Sequence, residues 1–152
     1  MMSEEIDLRE ASTLDSQEIA VLFEETRRIN LPYLPELHNA QEDLEYFSKT
    51  VENENVIVAQ SGDKVVGFCS YKDNWLNHLY VSPEYQGKGV GTALLNDAKT
   101  HNSELRLWVF QKNTKAIDFY KRNGFELLLT TDGLGNEEHE PDAQYVWYQA
   151  NS

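Results

Sequence analysis

The sequence predicts an α/β fold of one domain, residues 1–152: a mixed, strongly twisted central sheet of about 6–7 strands flanked by four helices. Three observations predict it. After one short strand pattern come two amphipathic helical patterns, followed by strand patterns separated by short turns. Later, a helical pattern links two strand patterns with no hairpin turn between them, which calls for a crossover and so for a parallel pair within the sheet. The chain then closes on two strand patterns either side of a polar loop.

The elements follow in order. Ile6-Asp7-Leu8-Arg9-Glu10-Ala11 alternates as a half-buried strand does. Asp15 and Glu18 have the spacing of a capping box, so a helix is expected to begin there, with Ile19, Leu22, Phe23 and Thr26 on one face. Its pattern ends near Asn30, where Pro32 and Pro35 force an extended bend. A second helix is expected from an Asn39 cap to about Val51, with Glu42 at the capping-box position and Leu44, Phe47 and Val51 turned inward. Residues 56–60 and 65–71 read as a hairpin across Gly62-Asp63, and 75–81 as the next strand of a meander. Val90, Ala93, Leu94 and Ala98 mark a helix packed on the sheet, and residues 105–110 the strand after it. Thr114 is expected to cap a fourth helix and Gly124 to end it. Residues 125–131 and 145–149 are the last strands. Between them, 132–142 has neither period and reads as a solvated loop, with a functional loop as the alternative.

A chain of 152 residues can bury about two-thirds of its unfolded surface in one core. Its net charge of −13 argues against a nucleic-acid partner, because phosphate backbones are bound by Lys and Arg. The same charge would steer cations such as amines, although solubility explains it equally well. The single Cys69 excludes an intramolecular disulfide and, flanked by Val65-Val66-Gly67-Phe68 and Ser70-Tyr71, reads as an inert core thiol. Met1 to Glu5 lack a basic start and an apolar run, and no apolar stretch of about 18 residues occurs, so the expectation is a soluble cytoplasmic protein with no membrane partner. His38 has no second ligand at metal-like spacing, and no metal is expected.

The stretch Leu79-Tyr80-Val81-Ser82-Pro83-Glu84-Tyr85-Gln86-Gly87-Lys88-Gly89-Val90-Gly91-Thr92 joins a strand to a helix through a glycine-dense turn. Glycines remove Cβ atoms where backbone must approach a ligand, and the unpaired N–H groups opening the helix favour an anion, most economically a pyrophosphate. The dinucleotide fingerprint G-x-G-x-x-G does not fit glycines at every second residue. A P-loop needs Ser or Thr after its lysine, and Lys88 instead lies between glycines.

Gln86, Gly89 and Gly91 satisfy the pattern Gln/Arg-x-x-Gly-x-Gly/Ala, and a second block follows: Leu105-Arg106-Leu107-Trp108-Val109-Phe110, then Asn113, Ala116, Phe119-Tyr120 and Gly124-Phe125. Together they resemble the acyl-coenzyme A loop and the following strand and helix of the GNAT acetyltransferase superfamily. The match is close over the C-terminal half and general in layout over the N-terminal half. The resemblance implies a GNAT-like fold and an acetyl-CoA-dependent N-acetyltransferase that moves acetyl directly to a primary amine of an unidentified acceptor. Its alternative is a non-catalytic acyl-CoA-binding or regulatory module on the same fold.

The resemblance also implies roles. The N–H groups around Gly87, Lys88, Gly89, Val90, Gly91 and Thr92 would hold the diphosphate, with Gln86 and the Lys88 charge assisting. Strands 75–81 and 105–110 would splay, leaving backbone near Leu79 and Val81 to pair with the pantetheine amides, while the N–H of Leu79 or Tyr80 meets the carbonyl oxygen. Asn113 and Ala116 would contact the cofactor arm, and Tyr120 would protonate the departing thiolate. Some members carry a Glu on the strand before the Asn; here that strand has Trp108 and Val109 instead. His78 is therefore the candidate base, with ordered water as its rival. Simple alternation sets Trp75, Asn77 and Leu79 on one face and Leu76, His78 and Tyr80 on the other, and a bulge would swap them. Tyr33, Leu34, Leu37, His38, Trp75 and Asn77 are the candidate acceptor contacts. The aromatic and acidic residues of 33–38 and 132–142 favour a small cationic amine, and exposed C-terminal edge strands leave room for a homodimer.

Overall fold

Short connections leave residues 55–81 only antiparallel pairing. The structure, a computed structural model that describes residues 5–150, forms that meander from β2 (Asn55–Ser61), β3 (Lys64–Lys72) and β4 (Trp75–Val81). Gly62 turns the hairpin at φ 61°, in the left-handed region that suits glycine. β1 (Asp7–Glu10) pairs antiparallel with β2. After β4 the chain crosses over through α3 (Val90–Thr100), so β5 (Glu104–Phe110) lies parallel to β4. The last strand, β7 (Asp142–Tyr148), inserts antiparallel between β5 and β6 (Glu126–Thr130), giving the order β1-β2-β3-β4-β5-β7-β6. The mixed seven-stranded sheet with four α-helices is the expected fold class.

Each face of the sheet buries its own apolar layer. α3 and α4 (Thr114–Arg122) cover one face, where Leu94, Leu95, Leu105 and Leu107 are closed off from water. α1 (Ser16–Asn30) and α2 (Ala40–Asn53) cover the other face of β2, β3 and β4 around Ile19, Phe47, Val58 and Phe68. Cys69 is fully buried in the first layer, and burial pushes its thiol up to about 12, which makes it inert.

Local chemistry sets the helix starts, in one case as expected and in two otherwise. At α2 the Asn39 side chain accepts from the Glu42 N–H at 2.8 Å and Glu42 accepts from the Asn39 N–H at 3.0 Å, completing the capping box. Asp15 and Glu18 make no such box. Arg9 donates to both Asp15 oxygens at 2.8 and 2.9 Å and the Ser12 N–H adds a third bond at 2.8 Å, while Glu18 accepts from the Val65 N–H at 3.2 Å. The Arg9 guanidinium accordingly holds the Asp15 carboxyl below its ordinary range. Asn113, not Thr114, caps α4 by accepting from the Ala116 N–H at 3.3 Å. β1 is also not half-buried: all four residues are exposed, and only the flanking Ile6 and Ala11 pack inward. The residues before Glu5 lie outside the described region, so the expectation about the first residues is not addressed there.

Candidate functional site

The sheet is split where the sequence changes strand geometry. β4 and β5 share one register pair, Trp75 with Arg106, and the Arg106 N–H reaches the Asn74 carbonyl at 2.9 Å. Beyond that pair their paths diverge. The register between β3 and β4 passes from Tyr71↔Leu76 to Ser70↔His78, so Asn77 is an extra residue, and a bulge of this kind bends its strand at the point where pairing with β5 stops. The same bulge overrides simple alternation: Leu76 joins Leu79 and Val81 on the α3–α4 face, while Tyr80 packs toward α1 and α2. The β4 edge from Asn77 to Val81 therefore offers backbone groups with no strand partner toward β5.

The glycine loop closes the end of the split, and its glycines do two different jobs. Gly87 and Gly89 have φ of 77° and 86°, Gly89 is the N-cap of α3, and a Cβ on either would meet nothing within 4 Å. This is an open cradle under the first unpaired N–H groups of an 11-residue helix. Gly91 lies inside the helix, where a Cβ would touch Phe119 at 3.5 Å and Val81 at 3.7 Å, so it sets close helix packing instead. Gln86 donates its side-chain amide to the Val81 carbonyl at 2.9 Å, fixing the loop to the end of β4. The Lys88 ammonium stands over the Tyr85 ring, 5.2 Å from its centre.

A cavity of about 110 Å³ occupies the split, lined by Leu31, residues 76–80, residues 107–110, Asn113, Ala116 and Tyr120. It brings together Asn77, His78, Leu79, Tyr80, Asn113, Ala116 and Tyr120 from the sequence-derived set and leaves out Val81, Trp75, Tyr33, Leu34, Leu37 and His38. A larger hollow of about 440 Å³ opens elsewhere, between Arg9, Glu10, Glu54, Tyr71, Asp97 and His101, away from both the split and the glycine loop. Tyr120 is buried, burial raises its phenol above the ordinary range, and among the described residues its hydroxyl has no hydrogen-bond partner.

His78 sits on the other wall in a different state. Its Nδ1 is 2.6 Å from the Ser70 hydroxyl and its Nε2 is 3.2 Å from the Tyr46 hydroxyl. Phe23, Tyr46, Phe47, Phe68 and Tyr80 surround the ring, with centroid distances of 5.2 to 6.5 Å. That enclosure disfavours the charged imidazole and pushes its pKa down to about 4. Both nitrogens are engaged within the protein. Asn77 likewise donates to Glu54 at 2.8 Å.

The N-terminal wall and the loop between β6 and β7 are joined by a set of charges. Arg27 pairs with Glu138 at 2.7 Å, His38 with Glu137 at 2.5 Å, and Lys112 with Glu140 at 3.1 Å. Lys112 also lies 5.3 Å from the centre of the Tyr33 ring. Segment 132–142 is thus a tethered loop, not a freely solvated one, and its three glutamates already have basic partners. Leu34 is buried and Leu37 is 44% exposed. The sequence signalled neither Tyr46 nor Ser70 nor these pairs, because each joins residues far apart in the chain; the cavity-lining Leu31 was visible only as part of the proline bend.

Taken together, the fold and site define a split mixed sheet with an anion-ready glycine loop at its opening. The family of the acetyltransferase (GNAT) domain matches residues 52–127, half of the chain. The peptidyl-lysine N-acetyltransferase YiaC of Escherichia coli is 33% identical over 72 residues, covering 47% of this chain and 49% of that protein. The spermine/spermidine N(1)-acetyltransferase of Bacillus subtilis is 31% identical over 130 residues, covering 67% and 85%. Among solved structures, apo-form YjaB from Escherichia coli superposes with a TM-score of 0.80 at 21% identity over 96% of this chain and 99% of that one. The PaiA N-acetyltransferase of Thermoplasma acidophilum, in complex with coenzyme A, gives 0.69 at 20% identity over 95% and 99%. The chain belongs to the GNAT acetyltransferase family. It spans about half the length of several curated relatives it matches, 40% for one from Methanocaldococcus jannaschii.

Proposed function

We propose that the protein is an acetyl-CoA-dependent N-acetyltransferase acting on a primary amine. The observation that carries this reading is the bulge-driven split between β4 and β5 ending on the Gly87–Gly89 cradle. The residues present fit the cofactor: two positive-φ glycines with open space above them at a helix N-terminus suit a diphosphate, and the unpaired β4 edge suits an extended amide arm. When bound, acetyl-CoA supplies an activated acyl carbon. The chain's own groups do the rest. The N–H groups of Gly87 to Thr92 take the diphosphate, and Asn113, with its amide nitrogen still available, and Ala116 take the arm. An N–H of Leu79 or Tyr80 on the open edge meets developing negative charge on the carbonyl oxygen. Tyr120, which lines the cavity, donates its hydroxyl proton to the departing sulfur.

Proton removal from the amine follows a different route. With a pKa of about 4, His78 does not store a proton near neutrality. The amine proton leaves through ordered water, and the hydrogen bonds to Ser70 and Tyr46 hold the neutral imidazole in place on the wall. Relatives that acetylate peptidyl lysine or polyamines support a primary amine acceptor. Titration with acetyl-CoA should raise the unfolding midpoint while NAD and ATP with magnesium do not; the opposite order would sink the assignment. The non-catalytic reading draws on one observation, the full engagement of both His78 nitrogens. Coenzyme A release across a panel of amines decides between them, since a binding module would be stabilised by acetyl-CoA and release none.

A further inference from the structure

Two basic side chains stand beside the cavity in the split. Lys112 lies two residues after Phe110 and one before Asn113, both of which line it. The Arg27 guanidinium is 5.5 Å from the centre of the Phe23 ring, and Phe23 meets the ring of Tyr80, another lining residue, at 5.2 Å. Tyr33 connects the two. Its ring centre is 5.3 Å from the Lys112 ammonium, and burial first, then the Glu140 charge, raises its phenol while Arg27 opposes the rise. Both bases pair with acids of the loop, Arg27 with Glu138 at 2.7 Å and Lys112 with Glu140 at 3.1 Å, but exposure separates the partners: the carboxylates are 14% and 15% exposed, the cations 24% and 61%. The acids are turned inward and the bases outward. Asn136 helps to fix that order, because its side chain donates to the Glu140 carbonyl at 2.7 Å and accepts from the Glu140 N–H at 3.2 Å, and Gly133 packs on the Glu140 backbone with no room for a Cβ.

What this rim leaves free is hydrogen-bond donors. Among the described residues Arg27 gives Glu138 one of the five N–H groups of a guanidinium, and Lys112 meets Glu140 as an ion pair without hydrogen-bond alignment. Donors of this kind fit a carboxylate, which a guanidinium can hold through two N–H groups at once. We propose that the acceptor is an amino acid in its zwitterionic form, its carboxylate held by Arg27 and Lys112 while its amine enters the split. This substrate class rests on the acetyl-transfer reading of the same site, and the step is unchanged: nitrogen bonds the acyl carbon as the C–S bond breaks, nitrogen loses a proton and sulfur gains one. The acidity of residues 132–142 does not favour a free cation, since Glu138 and Glu140 are compensated inside the fold and the exposed Glu137 is held by His38 at 2.5 Å. The net charge of −13 disfavours acceptors with several negative charges, and an amino acid with a neutral side chain adds none. A rim already ordered by Asn136 loses little freedom when the carboxylate arrives.

Kinetics on matched pairs test this. Each neutral amino acid is set against the amine that lacks only its carboxyl group, phenylalanine against phenethylamine and 4-aminobutyrate against propylamine among them, with spermidine and an N-acetylated lysine peptide alongside. The expected result is a kcat/KM at least about tenfold higher for one or more amino acids than for the matched amine, carried by KM, as charge-assisted bonds to a carboxylate should give. Arg27→Gln should bring that ratio close to one. Glu138→Gln supplies a sign that packing alone would not: removing the competing carboxylate frees the Arg27 fork, so KM for the amino acid should fall, whereas a site that reads cations through Glu138 would bind its amine more weakly. Amino acids no better than their amines throughout, spermidine or the peptide preferred to all of them, an unchanged ratio in a folded Arg27→Gln protein, or a KM that rises in Glu138→Gln would each overturn the carboxylate reading and leave acetyl transfer standing. Release of no coenzyme A with any acceptor, while acetyl-CoA still stabilises the fold, would overturn the transferase reading and this one with it.

Discussion

The two walls of the cleft handle their polar groups in opposite ways. On the β4 wall the side chains are tied down: His78 by Ser70 and Tyr46, Asn77 by Glu54, Gln86 by the Val81 carbonyl. On the β5–α4 wall the Tyr120 hydroxyl has no partner among the described residues, and Asn113 uses only its oxygen, as a helix cap. In the proposed function the β4 wall acts mainly through its backbone, whose unpaired edge begins at a bulge, and the α4 wall through a side chain. Substitutions should separate the two: the glycine cradle governs binding, Tyr120 governs turnover, and His78 mostly tunes.

The largest effect is expected at the cradle itself. Gly89→Val places a branched side chain at φ 86°, a region such residues avoid, and in the open space above the loop. Saturating acetyl-CoA, which at a hundredfold excess over its dissociation constant should stabilise the wild type by about 2.7 kcal/mol, should no longer shift the variant's unfolding midpoint. A shift equal to that of the wild type would move the diphosphate elsewhere. Next comes Tyr120→Phe, which keeps a buried ring and removes the donor. Turnover should fall by roughly ten- to a thousandfold with cofactor affinity little changed, and unaltered turnover in single-turnover kinetics would reduce Tyr120 to packing.

The same contrast explains what the sequence could reveal. Seven strands, four helices, the parallel crossover and the Asn39 cap were legible because each rests on local periodicity or on residues three apart. Short motifs brought the glycine loop, Asn113 and Tyr120 forward as candidates, and in the structure Asn113 and Tyr120 line the split. The splay of residues 75–81 from 105–110 was implied by the resemblance, but the face that each β4 side chain takes was left open, because one inserted residue decides it. The bulge at Asn77 leaves the composition of the strand unchanged, yet it moves Leu76 to the opposite layer and opens the sheet. Asp15 shows the same limit, since its spacing to Glu18 suits a cap but Arg9 competes for its carboxylate more strongly. The loop of residues 132–142 looked solvated because its partners Arg27, His38 and Lys112 lie elsewhere in the chain.

A smaller effect is expected from His78. Its folded pKa, depressed to about 4 from an ordinary value of 6.5, means the native state binds fewer protons than the unfolded chain between those values. The stabilisation is therefore complete above about pH 6.5 and is lost as pH falls toward 4. His78→Gln should flatten that loss in equilibrium unfolding experiments. In rate measurements kcat/KM should show no limb from His78 between pH 6 and 8, in contrast to the rise through an ordinary imidazole ionisation that a storing base would give. A wild-type limb near pH 6.5 that vanishes in a folded His78→Gln protein would restore His78 as the base and reverse the comparison between the walls.

The smallest effect concerns the charge pairs that tie the loop of residues 132–142 to the N-terminal segment and to Lys112. The His38 pKa is raised, chiefly by its hydrogen bond to Glu137, against an opposing cost of burial, with the charges of Glu137, Glu42 and Asp43 adding to the rise. A raised histidine pKa contributes stability that is fully present below the ordinary imidazole value and is lost as pH rises through the folded value. The hold of the N-terminal wall on the loop of residues 132–142 should thus loosen above neutrality, but only partly, because the Arg27–Glu138 and Lys112–Glu140 pairs also tie it down. Hydrogen exchange in that segment, corrected for the intrinsic pH dependence of exchange, should show protection falling with pH in the wild type and far less in Glu137→Gln, whose amide cannot hold a proton on His38. The acceptor KM should follow the same curve if the tether shapes the amine entrance, while cofactor affinity, set at the glycine loop on the other side of the split, should not change. Equal pH dependence in wild type and Glu137→Gln would show that the His38–Glu137 pair is too exposed to govern the loop and that the arginine and lysine pairs hold it alone.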